Sequence, residues 1–144
     1  MKYPRIWIAA HGGEIGAVTQ KDAPAQVLAV LGRSDNYTVL EYVARHPNTP
    51  ADTLAEMAAG LTGRGVMTLL DSYLVANPKT PKAALRDIFV RVRPQPGAND
   101  VMWAFARNSN APIDILKAIA EDYPEKVWAP LRDLIDKNIR SCRR

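Results

Sequence analysis

The sequence predicts an all-α fold, a solenoid of about four helical repeats with capping helices at its ends. Three observations favour this fold: a proline-rich motif recurs at a fixed interval, apolar residues follow each copy at helical spacing, and both ends of the chain depart from the repeat. Solenoids usually present extended binding surfaces, so the predicted fold favours a binding protein over a catalyst.

The recurring motif defines the repeat units. It lies at residues 46–50 (HPNTP), 77–81 (NPKTP) and 108–112 (NSNAP), so the interval between successive copies is constant. A weaker copy at 20–24 (QKDAP) precedes the first of these three by a slightly shorter interval. A fixed period of this size is typical of stacked helical repeats. The chain, taken as a single domain, therefore divides into an N-terminal cap and four units, at 1–19, 20–45, 46–76, 77–107 and 108–144.

Each motif precedes an amphipathic helix. Positions four and seven after the final proline are large and apolar in every copy, which is one stripe of an α-helix. Two more apolar positions, seven and six residues before the proline, form the same face of the preceding segment. We expect these positions to form the core, namely Leu28, Leu54, Leu85, Leu116, Leu31, Met57, Ile88, Ile119, Val43, Leu74, Phe105, Ala44, Val75 and Ala106.

The residues of the motif are typical of helix ends. Proline suits the first helical position, because its missing N–H would have no partner there. Thr49 and Thr80 then fall at the N-cap, where a hydroxyl accepts a hydrogen bond from a backbone N–H. Pro47 and Pro78 end the preceding helix, since the residue before a proline avoids the α region. His46 stands where the later copies have asparagine, so we expect it to hydrogen-bond within the turn.

The ends and the insertions depart from the repeat. Residues 1–11 have a basic flank and an apolar stretch too interrupted for a signal peptide, so we expect a cap over the open end of the stack. Pro124 and Pro130 precede an amphipathic closing helix and a basic tail. Two insertions, at 59–65 and 91–100, are predicted to lie along one face, which in a solenoid is often the binding face.

Composition bears on compartment and cofactors. A chain of 144 residues fits one domain, and no apolar run approaches the roughly 18 residues of a membrane helix. Cys142 is the only cysteine, which excludes an internal disulfide and fits a reducing, cytoplasmic compartment. No spacing of histidine and cysteine fits zinc, and no glycine-rich loop is followed by the lysine of a phosphate site. The sequence predicts no metal, no cofactor, no catalytic residues and no membrane partner.

Residues 43–50 (VARHPNTP), followed by Leu54 and Met57-Ala58, resemble the leucine-rich repeat variant (LRV) family. The resemblance covers roughly residues 15–123 and implies a right-handed superhelix of alternating α and 3₁₀ helices. The period of the motif exceeds the shorter repeat of that family, which implies a second full α-helix in each unit, as in HEAT-like pairs. Some family members hold an iron–sulfur cluster with clustered cysteines, which a single cysteine cannot provide.

The distribution of charge leaves more than one class of partner open. Lysines and arginines number 19 against 15 acidic residues, and the excess concentrates in residues 79–93 and 137–144. These two stretches fit either nucleic acid or an acidic protein surface. Binding to nucleic acid would depend steeply on salt, because it releases counterions from the phosphates. A third class is a HEAT-like DNA-processing enzyme, since some such folds work with few catalytic residues.

We expect a protein–protein interaction adaptor, inhibitor or regulator that acts through its curved surface and its inserted loops. Tryptophan, tyrosine and arginine are the residues most enriched at the energetic centres of interfaces. Tyr42 and Tyr73 share one repeat position, and Arg45 and Arg107 share another. The predicted contact residues are Arg45, Arg91, Arg93, Trp103 and Arg107.

Overall fold

The computed structural model describes residues 2–60 and 69–142, and the regular structure in these ranges is entirely helical, as the sequence predicts. None of the described helices combines the length and apolarity needed to cross a membrane. One turn of 3₁₀ helix, Lys126–Trp128, precedes the last helix. The α-helices in the described ranges are α1 (Lys2–Ala10), α2 (Glu14–Val18), α3 (Ala25–Leu31), α4 (Tyr37–Arg45), α5 (Ala51–Gly60), α6 (Leu69–Ala76), α7 (Lys82–Val92), α8 (Asn99–Arg107), α9 (Ile113–Asp122) and α10 (Ala129–Cys142).

Alternate helices pack side by side in two layers. In the first layer, α2 contacts α4, α4 contacts α6, α6 contacts α8, and α8 contacts α10. In the second layer, α1 contacts α3, and α5 contacts α7. Helices that are adjacent in the chain, such as α5 and α6, contact one another across the layers. The segment 77–107 therefore contributes one helix, α7, to the second layer and one, α8, to the first.

The apolar stripes predicted from the repeat are confirmed as the core. The four leucines that stand four residues after each proline are fully buried, as are the apolar residues seven before it. Burial of one such side chain contributes about 1.5–3 kcal/mol, so this register provides much of the stabilisation. The fully buried residues of these two sets are Leu28, Leu54, Leu85, Leu116, Val43, Leu74 and Phe105.

The N-cap prediction for Thr49 and Thr80 is wrong, and so is the placement of proline inside the helix. Pro81 itself occupies the N-cap of α7, with extended backbone. Thr80 is fully buried and its Oγ1 donates to the carbonyl of Leu74 at 2.5 Å, while Thr49 donates to that of Val43 at 2.6 Å. The hydroxyls close the preceding helix, because carbonyls of a last helical turn lack partners within the helix.

Buried asparagines join each turn of the first layer to the one before it. Asn77 Nδ2 donates to the carbonyl of Ala44 at 2.8 Å, and Asn108 Nδ2 donates to that of Val75 at 2.6 Å. The Oδ1 atom of each asparagine accepts from the backbone N–H two residues later, at 3.0 and 2.7 Å. One side chain thus satisfies groups of two units at once, which a buried amide must do to avoid a desolvation cost.

His46 and Asn138 make related hydrogen bonds before and after these two turns. Asn138 Nδ2, on α10, donates to the carbonyl of Ala106 at 2.9 Å. His46 Nε2 lies 2.8 Å from the carbonyl of Gln20, and its Nδ1 accepts from the N–H of Asn48 at 3.0 Å. A carbonyl can only accept, so the ring proton lies on Nε2, and the expected turn hydrogen bond of His46 is confirmed. We call these four residues and their bonds the turn ladder: His46, Asn77, Asn108 and Asn138.

A second row of hydrogen bonds runs beside the turn ladder, two residues further along each turn. Asn48 Nδ2 donates to the carbonyl of Ala23 at 3.2 Å. Asn110 Nδ2 donates to the carbonyl of Thr80 at 3.1 Å. The corresponding position of the turn between them is occupied by Lys79, which has no amide to donate in this way.

The two predicted insertions differ in their outcome. The glycine-rich stretch 59–65 lies mostly in residues 61–68, outside the described ranges, and only its first two residues are seen, at the end of α5. The stretch 91–100 is shorter than predicted, because α7 continues to Val92 and α8 begins at Asn99. The linker that remains turns at Gly97, whose φ of 81° suits a residue without a side chain.

Both ends of the described chain pack against this core. Trp7 and Ile8 of α1 contact the hydrophobic core, and α1 contacts α2 and α3. At the other end, Leu131 and Ile135 of α10 are fully buried, in agreement with the predicted amphipathic closing helix. The first and last described helices therefore both bury apolar side chains against the core.

Replacing Leu85 with alanine should lower the free energy of unfolding by about 2–5 kcal/mol, because it leaves a cavity in the core. Val90 lies on the same helix and is 74% exposed, so Val90→Ala is the matched control and should change stability by less than about 0.5 kcal/mol. Urea denaturation followed by circular dichroism measures both. Equal effects of the two substitutions would contradict the assigned register.

Asn77→Ala should lower the free energy of unfolding by about 1–3 kcal/mol, because it removes the partners of the Ala44 carbonyl and the Lys79 N–H. Lys82→Ala, at an exposed position after the same turn, is the control and should have little effect. Urea denaturation followed by circular dichroism measures the free energy of unfolding of both variants. A loss from Asn77→Ala no larger than that from Lys82→Ala would mean that the turn ladder does not stabilise the fold.

Candidate functional site

Arg91, one of the predicted contact residues, lies in α7 and pairs with Asp71 of α6. Arg91 Nη1 donates to Asp71 Oδ2 at 3.0 Å, and Nη2 donates to Oδ1 over a shorter distance. The Arg91 side chain is 12% exposed and that of Asp71 is fully buried. This bidentate pair fastens α7 to α6 and leaves little of Arg91 for a partner to reach.

Arg93, a second predicted contact residue, is exposed but also paired. Its Nε and Nη2 both donate to the carboxylate of Asp122 at 2.8 Å, and its guanidinium lies 5.3 Å from the ring centre of Phe89. The pair borders an open groove of about 710 Å³ whose apolar walls include Val90 and Met102. Arg93 thus connects the end of α7 to the end of α9.

The basic stretch 79–93 is largely neutralised within the fold. Arg86 donates to both carboxylate oxygens of Asp114, at 2.6 and 3.0 Å, and these hydrogen bonds lower the pKa of the Asp114 carboxyl. With Arg91 and Arg93, three of the five basic residues in 79–93 pair with carboxylates from outside the stretch. The stretch therefore attracts anions less than its own sequence implies.

The second basic stretch, 137–144, is seen in part. Lys137 and Arg140 are exposed on α10, and residues 143–144 lie outside the described ranges. Arg140 lines a cleft together with Lys117, and the carboxylates of Glu121 and Asp136 in the same cleft offset these two charges. The described portion of this stretch therefore does not form a purely basic surface.

Arg45 has a different environment from the arginines of α7. Its guanidinium carbon lies 5.0 Å from the ring centre of Tyr42, on its own helix, and 4.6 Å from that of Tyr73, on α6. A guanidinium held against aromatic faces in this way gains about 0.5–1 kcal/mol per exposed contact. The stacking fixes the position of Arg45 while leaving the side chain exposed to solvent.

Trp103 and Arg107 form a similar pair on α8. The Arg107 guanidinium lies 5.4 Å from the ring centre of Trp103, four residues earlier on the same helix face. Trp103 is half-buried and packs against the core, whereas Arg107 is exposed. The tryptophan therefore supplies both part of the core and a platform for the cation.

Repeat register explains why these side chains share one surface. Positions 42 and 45 recur at 73 and 76 and again at 104 and 107, so equivalent side chains leave neighbouring first-layer helices in the same direction. Trp103 lies one position earlier and takes the place of Glu41 and Ser72. We call the resulting set the aromatic–arginine row: Tyr42, Arg45, Tyr73, Trp103 and Arg107. The two tyrosines were not among the predicted contacts, although their shared repeat position was visible in the sequence.

Two open clefts flank Arg45 at the C-terminal ends of the first-layer helices. The α2–α4 cleft has a volume of about 470 Å³ and is lined by residues that include Lys21, Tyr42 and Pro47. The α4–α6 cleft has a volume of about 320 Å³ and lies on the other side of Arg45 and Pro47, which line both.

The walls of the α4–α6 cleft combine apolar and cationic groups. They include Tyr73, Lys79 and Ala76. Ala76 stands at the repeat position that is occupied by Arg45 one period earlier and by Arg107 one period later. The small side chain of Ala76 leaves the space that a third arginine would fill. No described residue that lines either cleft carries a carboxylate, so the charged side chains that line both clefts are all basic.

Both histidines have structural contacts in the described ranges. His46 belongs to the turn ladder, and the ring of His11 stacks on that of Trp7 with centres 3.7 Å apart. His11 Nδ1 also lies 2.8 Å from the Trp7 carbonyl, to which it donates. Among the residues the structure describes, no three metal-ligating side chains cluster.

In comparison with known proteins, no family model, no curated protein and no solved structure matches this chain. In the structure, Arg45 stacks on two tyrosines and Arg107 stacks on Trp103, whereas Arg91 and Arg93 lie in ion pairs.

Asp71→Asn should lower the free energy of unfolding by about 3–5 kcal/mol, because it leaves the poorly exposed Arg91 guanidinium without its counter-charge. Asp114→Asn removes the carboxylate of an exposed pair and should cost no more than about 1 kcal/mol. Parallel urea titrations compare the two variants. Similar small losses for both would mean that the Asp71–Arg91 pair is no more important to the fold than a surface pair.

Proposed function

We propose that this protein is a non-catalytic protein-binding module, an adaptor, inhibitor or regulator of another protein. Its helical units form a right-handed solenoid of the LRV or HEAT-like kind, with the units bounded as the motif predicts. Two observations support the stacking: the turn ladder connects turns that lie one repeat apart, and each first-layer helix packs on the next. A cytoplasmic setting fits the single cysteine, Cys142.

The observation that carries this proposal is the aromatic–arginine row. Arg45 stacks between tyrosines of two consecutive units, and Arg107 stacks on Trp103. Tyrosine, tryptophan and arginine dominate the binding energy of protein interfaces more often than other residues. Because stacking already restricts these side chains, they lose little conformational entropy when a partner binds.

Nucleic-acid binding is the alternative that an experiment must separate from protein binding. It relies on the charge of residues 79–93 and 137–144, and three of the five bases in the first stretch pair with carboxylates. Its affinity would fall steeply with salt, because each phosphate contact releases counterions. Affinity for a protein through stacked aromatic and arginine side chains would change much less.

The test is affinity capture from a lysate of the native cell, with and without nuclease and at low and moderate salt. The wild-type protein should retain one defined protein that persists after nuclease and at moderate salt. Trp103→Ala and Arg107→Ala should each reduce its retention, because they remove an anchor of the row. Arg33→Ala is the matched control: Arg33 is exposed beside the second layer and pairs with Glu56, so its loss should leave retention unchanged.

Each variant is first checked for helical content and thermal unfolding, so that reduced retention reports binding and not misfolding. Nucleic acid alone, lost with nuclease or moderate salt, would replace this proposal with the nucleic-acid alternative. A protein retained equally by Trp103→Ala, Arg107→Ala and Arg33→Ala would place the binding surface elsewhere.

A further inference from the structure

We infer that the two clefts beside Arg45 bind an acidic, extended peptide segment of the protein partner. This inference rests on the proposed function and names the chemistry that the surface recognises. The carboxylates of the segment face Lys21, Arg45 and Lys79, and its apolar side chains fill the clefts between these cations. Four observations lead to this assignment.

The first observation is the charge of the clefts. Lys21 and Arg45 line the α2–α4 cleft, Arg45 and Lys79 line the α4–α6 cleft, and no described residue that lines either is acidic. A concave surface with one sign of charge raises the local concentration of ligands with the opposite sign. The apolar part of the lining, with Tyr73, Ala76 and Pro47, fits aliphatic side chains and not a bare anion.

The second observation is the state of the Arg45 guanidinium. Its Nε lies 3.4 Å from the carbonyl of Glu41, and no hydrogen bond from Nη1 or Nη2 occurs within the described residues. By contrast, Arg33, Arg86 and Arg93 each donate two hydrogen bonds to a carboxylate. Arg45 is therefore held in position by two rings while the donors that suit a carboxylate fork stay available.

The third observation is that Lys79 departs from the pattern of its own repeat. Asn48 and Asn110, at the equivalent positions, use their amides to bond the preceding turn. An asparagine at 79 would be placed to make the same bond to the Thr49 carbonyl, and the lysine gives this up. Loss of a stabilising hydrogen bond in favour of a cation at a cleft is expected at a functional site.

The fourth observation is spacing. Arg45 is the last residue of α4, and Lys21 and Lys79 lie in the turns three residues beyond the ends of α2 and α6, the helices that pack on either side of α4. Packed helices lie about 8–10 Å apart, and a proline-rich extended chain rises about 3.1 Å per residue. In a peptide with one carboxylate in every third residue, the carboxylates are thus about as far apart as the packed helices that precede or carry the cations, and the residues between the carboxylates face the clefts.

The probe that follows is a fluorescein-labelled peptide of four Glu-Pro-Leu repeats, whose binding is measured by fluorescence anisotropy. A Gln-Pro-Leu peptide of the same length tests the need for carboxylates. A peptide of the same composition with its glutamates consecutive tests the spacing, and a single-stranded oligonucleotide tests whether any polyanion suffices. We expect the first peptide to bind at least about tenfold more tightly than each of the others, since hydrogen bonds to charged groups are strong.

Variants of the protein locate the site. Arg45→Gln should weaken binding of the Glu-Pro-Leu peptide by about 10- to 100-fold, and Arg33→Gln, in the second layer, should not. Ala76→Glu keeps all three cations but supplies an internal carboxylate to the α4–α6 cleft, so it should also weaken binding. Lys79→Asn should weaken binding while raising the urea concentration of half-unfolding, because it completes the row of asparagine hydrogen bonds.

The inference is overturned if the Glu-Pro-Leu peptide binds no better than the glutamine peptide, or if Arg45→Gln and Arg33→Gln bind it equally. Preference for the oligonucleotide would also overturn it. These results are independent of affinity capture. A partner whose retention requires Trp103 but not Arg45 would leave the proposed function standing while removing the acidic-peptide site. If the peptide binds but affinity capture retains no protein, the acidic-peptide site stands and the proposed function is removed.

Discussion

The hydrogen bond from a buried asparagine amide to the carbonyl of the preceding unit is the interaction on which the rest of this structure depends. The asparagine in the turn after one first-layer helix donates to a carbonyl near the C-terminus of the preceding first-layer helix. This bond sets how far each first-layer helix is displaced from its neighbour. The exposed positions of α4 and α6 then coincide, so that Arg45 meets a tyrosine from each helix. The candidate surface is therefore a consequence of the ladder.

The two layers share an apolar core but differ in their polar interactions. In the first layer, apolar contacts and buried amides join neighbouring helices, and these bonds lie away from water, where they are hard to exchange. The second-layer helices α3, α5 and α7 also carry fully buried leucines, and exposed ion pairs add to this packing: Arg33 pairs with Glu56 on α5, and Arg86 on α7 pairs with Asp114 on α9. Exposed pairs are screened by solvent and contribute little. The buried amide bonds thus lie in the layer that carries the aromatic–arginine row.

The sequence predicts the apolar register well, because the constant period of the motif and helical spacing are both visible along the chain. It predicts hydrogen-bond partners poorly. Thr80 looks like an N-cap because it precedes a proline, yet its burial turns the hydroxyl toward the helix behind it. Asn138 lies within α10 without the proline motif, so nothing local marks it as part of the ladder. Arg91 and Arg93 look like free cations, since their carboxylates lie 20 and 29 residues away in the chain.

Every rung of the ladder points the same way, with the side chain of a later turn donating to the backbone of an earlier one. Each internal turn therefore donates a side-chain N–H to the turn before it and presents a backbone carbonyl to the turn after it. A tandem copy of residues 77–107 would find both halves of its connection already present at the junctions. The architecture is in this sense open to growth by duplication, and the number of aromatic–arginine positions can change without redesign of the joints.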